Sequence, residues 1–259
     1  MRKAIVLAAA ASAAAAGMYQ IVIRPWYEQW GADPEETGRR LPGDDLIPTP
    51  TGGVTRGITI DAPAAAIWPW LVQMGYGRGG WYSYDQLDMR GKSADRIVPA
   101  WQSIKVGETI PAYPGGGFEI AEIQARRALV LYLDDEVMER QRRLAVADAD
   151  LEPVPPGLAA SGSLLGTMPR RFRTTWTFFL EPLDENRTRL IERSLVDFSD
   201  GGGLASGLVL PFIGFGVFVM MRRQMLGLKE RAERLIVEGA APEQDGPPVE
   251  VGEAELVPA

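Results

Sequence analysis

The stretch ITIDAPAAAIWPWLVQMGYGRGGWYSYDQL, residues 58–87, decides the fold because it sets a strand, a helix and an aromatic loop in immediate succession. Ile58 and Ile60 alternate with Thr59 and Asp61, the period of a half-buried strand. Asp61 is the expected N-cap of a following helix, with Pro63 near its first turn, where a missing N–H is harmless. Ile67, Trp70, Leu71 and Met74 fall at i, i+3, i+4 and i+7, one apolar stripe able to lie on a sheet. Pro69 inside that pattern predicts irregular early turns.

The next residues, GYGRGG (75–80), satisfy G-x-G-x-x-G, yet they follow a helix rather than a strand. That context excludes the dinucleotide reading and leaves a loop whose glycines permit positive φ. Trp81, Tyr82 and Tyr84 follow beside a short helix expected to be capped by Ser83. An aromatic patch hinged on glycines is one way to close over an apolar guest, and a core cluster is the plainer alternative. Trp101 lies in a second irregular patch, where Asp95 and Arg96 are expected to form a rim ion pair.

Beyond residue 107 the pattern is that of a sheet. Short runs at Glu108–Ala112, Gly117–Gln124 and Ala128–Asp134 are separated by turn residues. In the third, Leu129, Leu131 and Leu133 share one face and Val130 and Tyr132 the other, so both faces are covered. Residues 136–170 interrupt the sheet with a charged, helix-compatible piece and then a Pro- and Gly-rich piece. Two long strands follow, Phe172–Leu180 and Thr188–Val196, joined by the turn Asp184-Glu185-Asn186. On the returning strand Leu190, Glu192 and Ser194 share one face, and Arg189, Ile191 and Arg193 the other. Finally Phe218, Met221, Met225, Leu228, Ala232 and Leu235 repeat at three and four residues, the stripe of a long amphipathic helix.

The strand ending in Asp-Ala-Pro, the Ile-Trp and Trp-Leu of the helix, GRGGWYSYD (77–85), SADRIVPAWQ (93–102), TWTFFLEP (175–182) and TRLIERS (188–194) together resemble the START-like helix-grip (SRPBCC) superfamily, in an uncharacterised bacterial branch near the polyketide cyclases/dehydrases and lipid transport proteins. The resemblance runs from about Val54 to Ile236. It implies an α+β helix-grip domain, an antiparallel curved sheet wrapped on a long C-terminal helix, with an apolar cavity between them. The expected walls are Trp176, Phe178, Leu180, Phe218 and Met225. The candidate ligand-binding residues are Trp81, Tyr84, Trp101, Trp176, Phe178, Glu192, Phe218 and Met225. A Glu192 that faces the cavity is either paired, most simply with an arginine, or carries a raised pKa.

The ends of the chain carry different signals. From Ala4 to Ile23 there are twenty residues without a charge, about 30 Å of helix, framed by Arg2-Lys3 and Arg24 and followed by Trp26, Tyr27 and Trp30. Residues 1–24 therefore read as an N-terminal membrane helix, with a cleaved signal peptide or an ordinary helix as alternatives. Residues 25–53 read as a linker over the surface, and 54–238 as the domain, with the insertion at about 136–170. Leu204–Met221 is also free of charge and reads as a buried or membrane-grazing helix, with a second span as the alternative. Residues 239–259 carry five acids, four prolines and no base, the composition of a disordered tail.

Composition narrows the function. Neither cysteine nor histidine is present, which excludes thiolate chemistry, Ser-His-Asp triads and imidazole or thiolate metal sites, and no metal or cofactor is expected. A net charge of −7 argues against nucleic acid as partner. The leading expectation is a membrane-tethered domain that binds or carries a hydrophobic small molecule or lipid, with no chemistry of its own. The rival is a cyclase- or dehydrase-like enzyme, with Glu192 or Asp85 as acid or base and Tyr84 or Arg193 stabilising an enolate. A non-binding scaffold domain is the third reading.

Overall fold

A computed structural model describes Ala14 and residues 17–88, 92–147, 172–198 and 204–239, with no side-chain detail for 88, 145–147 and 204–213. Six antiparallel strands form one sheet in the order β1-β6-β5-β4-β3-β2. They are β1 (Gly52–Ile60), β2 (Thr109–Tyr113), β3 (Gly116–Gln124), β4 (Ala128–Asp134), β5 (Phe172–Pro182) and β6 (Thr188–Phe198). The first strand pairs with the last, so the sheet closes its sequence on the β5–β6 hairpin. The helices are α1 (Arg24–Glu28), preceded by a π-helical turn Tyr19–Ile23, α2 (Pro34–Gly38), α3 (Ala64–Val72), α4 (Asp85–Asp88), α5 (Asp135–Ala147) and α6 (Leu204–Val237). A curved six-stranded sheet with a long helix at its C-terminal end is the helix-grip arrangement of an α+β fold.

The inner face of the sheet carries Ile60, Leu129, Leu131, Phe178, Leu180 and Leu190, and α3 and α6 pack on it. The α3 stripe is buried completely at Ile67, Trp70, Leu71 and Met74. Pro69 sits inside α3 without dividing it. All six stripe residues of α6 are buried. Three local expectations are displaced, two of them by long-range partners. The N-cap position of α3 falls to Pro63, while exposed Asp61 faces Lys229 at 3.5 Å and its N–H donates to Glu233. Ser83 donates to the Met220 carbonyl of α6 instead of capping α4. Asp95 lies against Lys92 at 3.8 Å, not against Arg96.

Residues 31–51 lie as a strap over the outer face of the sheet. Asp33 and Glu36 make a reciprocal capping box at α2. Leu41 packs on Ala128, Phe179 and Ile191. Arg189 grips Glu36 at 2.6 Å, and Arg193 donates to Thr55, Asp44 and the carbonyls of Glu36, Thr37 and Arg39. Part of the expected insertion is α5, whose first turn is capped by Asp134 and whose Gln141 bonds both N–H and C=O of Gly117. The remainder of the insertion, the acidic tail and residues 1–13 of the expected membrane helix lie outside the described residues. Among the described residues no helix is long and apolar enough to cross a membrane.

Helix α6 approaches the 75–84 loop so closely at Gly227 that a Cβ there would strike the Tyr82 carbonyl oxygen, itself held by a positive φ of 58°. Gly227→Ala is therefore expected to destabilise the domain by about 1–3 kcal/mol. Gly216→Ala, with no atom near the added carbon, should stabilise by about 0.5–1 kcal/mol. Urea denaturation of the two variants checks the contrast.

Candidate functional site

Alternation along the hairpin turns Trp176, Phe178 and Glu192 to the inner face, with Phe178 directly opposite Glu192. The Trp176 Nε1–H donates to Glu192 Oε1 at 2.6 Å. Trp81 stacks on Trp176, with centroids 5.2 Å apart and planes at 18°, and Phe118 meets the same ring edge-on at 5.4 Å. Phe178 completes the wall at 5.1 Å. The loop that delivers Trp81 turns on Gly75, Gly77 and Gly80, all at positive φ. Its two arms are bridged by Gly75 and Gly80.

Glu192 is fully buried in this aromatic compartment. Its Oε2 has no hydrogen-bond partner among the described residues. Burial pushes the carboxyl up to about 7, against the opposing pull of the Arg56 charge and the Trp176 hydrogen bond. Arg56 stands opposite Glu192 on β1, also buried, yet no ion pair joins them among the described residues. Its guanidinium donates instead to the Tyr27 carbonyl at 2.9 Å and to Met221 Sδ at 2.9 Å, and it lies 5.3 Å from the centroid of the Phe218 ring. Burial lowers its pKa from the ordinary arginine value, and the Glu192 charge works the other way.

Of the sequence-derived candidates, Trp81, Trp176, Phe178 and Glu192 therefore meet, and Met225 is buried in the same core from the α6 side. Phe218 belongs to a separate aromatic group with Trp26, Tyr27, Trp30 and Phe215. Tyr84 is exposed at the loop edge. Trp101 is half-buried in a 3₁₀ turn, where its carbonyl accepts from Arg78. Arg193 faces the strap on the opposite side of the sheet, so it cannot assist Glu192, and Asp85 is bonded by Ser93 at 2.5 Å. Sequence reading passed over Arg56. Its signal was present: Arg56 stands in phase with Ile58 and Ile60, which places a guanidinium on the apolar face.

Among the described residues, side chains from both layers and Trp81 form one apolar cluster between sheet and α6, with Trp176 and Phe118 only partly buried. Two clefts lie elsewhere, one beside the β5–β6 turn at Pro182–Asn186 and one under the strap beside Arg40 and Ile47. Among the described residues no cluster of acidic side chains is arranged to hold a metal. What the compartment offers is one desolvated carboxyl, half satisfied, behind a stacked pair of indoles. It can accept a hydrogen bond when ionised and donate one when protonated.

The fold and site define a helix-grip domain with a buried carboxyl in an aromatic compartment. No family model matches the chain, and no curated protein matches it. Solved structures similar to it include a Thermobifida fusca protein, at 15% identity over 71% of this chain and 94% of that one, with a TM-score of 0.37. A Geobacillus kaustophilus protein gives 11% identity over 71% and 95%, with a TM-score of 0.37. The Zhui aromatase/cyclase from Streptomyces sp. R1128 gives 14% over 71% and 95%, with a TM-score of 0.30.

Because the folded state binds the Glu192 proton more tightly than the unfolded chain, the stability from this group is fully present below the ordinary glutamate value of 4.5 and is lost as pH rises through about 7. Wild type should lose about 3 kcal/mol relative to Glu192→Gln across that window. Urea denaturation at a series of pH values measures it, and a flat difference would place the carboxyl in a milder environment.

Proposed function

We propose that the domain binds a hydrophobic small molecule or lipid between the sheet and α6, and that residues 4–23 attach it to a membrane. One observation supports the binding reading above the others: the unpartnered Oε2 of fully buried Glu192. A buried acceptor without a donor costs about 1–3 kcal/mol, and a guest's O–H or N–H would remove that cost. Aromatic walls around a single polar group are the usual construction of a small-molecule pocket. Entry requires the glycine loop to swing Trp81 off Trp176, on which it is stacked. The guest is therefore a flat or slender hydrophobe bearing one hydrogen-bond donor.

The packed cluster between sheet and α6 favours a second reading, a scaffold domain whose aromatic residues are simply its core. A cyclase-like enzyme would draw on the near-neutral carboxyl, but among the described residues no tyrosine or arginine hydrogen-bonds Glu192. Native mass spectrometry of the full chain, extracted without detergent, separates these. The binding reading expects a co-purified hydrophobe that is lost or exchanged more readily in Glu192→Leu. A bare chain that also fails to take up 2-naphthol, a flat hydroxylated probe, would leave the scaffold reading standing.

A further inference from the structure

The helical stretch 17–28 is apolar on two sides. One side faces α6: the Tyr19 and Tyr27 hydroxyls share a 2.7 Å hydrogen bond, and the Tyr27 ring meets Phe215 and Phe218 at 6.0 and 5.9 Å. The other side is a stripe of Met18, Ile21, Val22 and Trp26 at i, i+3, i+4 and i+8, exposed by 61, 77, 60 and 56%. Phe215 on α6, exposed by 43%, meets Tyr27 beside it, and Val217, exposed by 44%, lies two residues further along α6. Gln20, Arg24 and Glu28 bond to one another on a separate polar strip, Trp26 meets Phe218 at 5.3 Å, and an exposed apolar stripe such as Met18, Ile21 and Val22 marks a surface that meets a partner or lipid.

The direction of the two helices identifies the occupant. Tyr27 lies level with Phe215 and Phe218, whereas Trp30, one turn later, lies level with Phe218 and carries the Arg222 guanidinium 4.9 Å from its ring centroid. Both chains therefore advance the same way. The uncharged runs Ala4–Ile23 and Leu204–Met221, distant in sequence, are closed at this patch by Arg24 and by Arg222-Arg223. Two charge-free runs closed by arginines, the first followed by Trp26, Tyr27 and Trp30, match the depth profile of a bilayer.

We propose that this two-helix face, not a single N-terminal anchor, seats the protein on a lipid bilayer, with Trp26 and Phe215 in the outer hydrocarbon and the sheet in water. This rests on the membrane attachment proposed above and adds α6 to it. The chain has no native cysteine, so single nitroxide labels report position cleanly. Labels at Val22→Cys, Phe215→Cys and Val217→Cys, with Glu185→Cys on the exposed β5–β6 turn as control, are placed in the full chain with vesicles of equal parts phosphatidylcholine and phosphatidylglycerol. The proposal expects collisions at all three to shift from a water-soluble nickel chelate toward oxygen when vesicles are added, and no shift at position 185. An immersed label at 22 with aqueous labels at 215 and 217 would overturn it while keeping the single anchor. Labels at 215 and 217 shielded from both reagents before vesicles are added would overturn it in favour of a second copy of the chain. Immersion at 215 and 217 in protein released by alkaline carbonate supports the two-helix face and removes the spanning anchor.

Discussion

The register of the β5–β6 hairpin is the constraint on which the rest depends. It runs unbroken from Phe172 opposite Phe198 to Pro182 opposite Thr188. Because side chains alternate, a slip of one residue would exchange every inner and outer position. Glu192 and Arg193 make such a slip costly in both directions. Arg193 is buried among five oxygen acceptors supplied by β1 and the strap. Glu192 is buried against an indole donor. Exchanging them would place a guanidinium before Trp176 and a carboxylate before a ring of carbonyls, two uncompensated buried charges. The charge pattern thus fixes a register that apolar alternation alone would hold more weakly.

The two faces of the hairpin then differ in how completely their polar groups are matched. On the outer face the strap exists to match them: the backbone carbonyls of residues 36, 37 and 39 are presented to one guanidinium, and Glu36 to another. Both guanidiniums are bonded, with Arg39 Nε the buried strap atom left without a partner among the described residues, and such a network rigidifies and specifies, so this side is structural. On the inner face the ring N–H groups of Trp68 and Trp70 and Gln224 Oε1 are left over among the described residues, as is one carboxyl oxygen inside a low-dielectric, aromatic wall. The fold had the means to match it, since Arg56 is the cross-strand neighbour, yet that side chain is spent on Tyr27 and Met221.

Elements governed by period were legible in the sequence. The strands of the sheet and the α6 stripe follow from spacing, because each needs only to know which side is wet. Caps and surface pairs were not, since Asp61 and Ser83 each had a partner far along the chain competing with the local one, and Asp95 took Lys92 instead of Arg96. The site divided the same way. Glu192, Trp176 and Phe178 share a face by alternation and were found together. Phe218 was assigned to the compartment because the α6 stripe cannot say which aromatic neighbours it meets. The packing of α1 decides that, and it gathers Phe218 with Trp26, Tyr27 and Trp30. Trp81 lies flat on Trp176, a side-chain orientation that no spacing encodes.

Arg56 is where these separate parts meet. Its backbone is opposite Glu192 in the sheet, its Nε–H holds the last turn of α1 through the Tyr27 carbonyl, and its charge lies over Phe218 of α6. The same charge opposes the burial that raises the Glu192 pKa. Whatever moves α1 against α6 therefore moves the nearest cation to the compartment's carboxyl, and whatever partners that carboxyl changes the field in which the cation sits. On the proposed readings the first agent is a bilayer and the second a guest, so attachment and binding are coupled through one buried guanidinium rather than through a change of fold. The coupling runs equally in both directions, because a free energy shared between two equilibria has no preferred side.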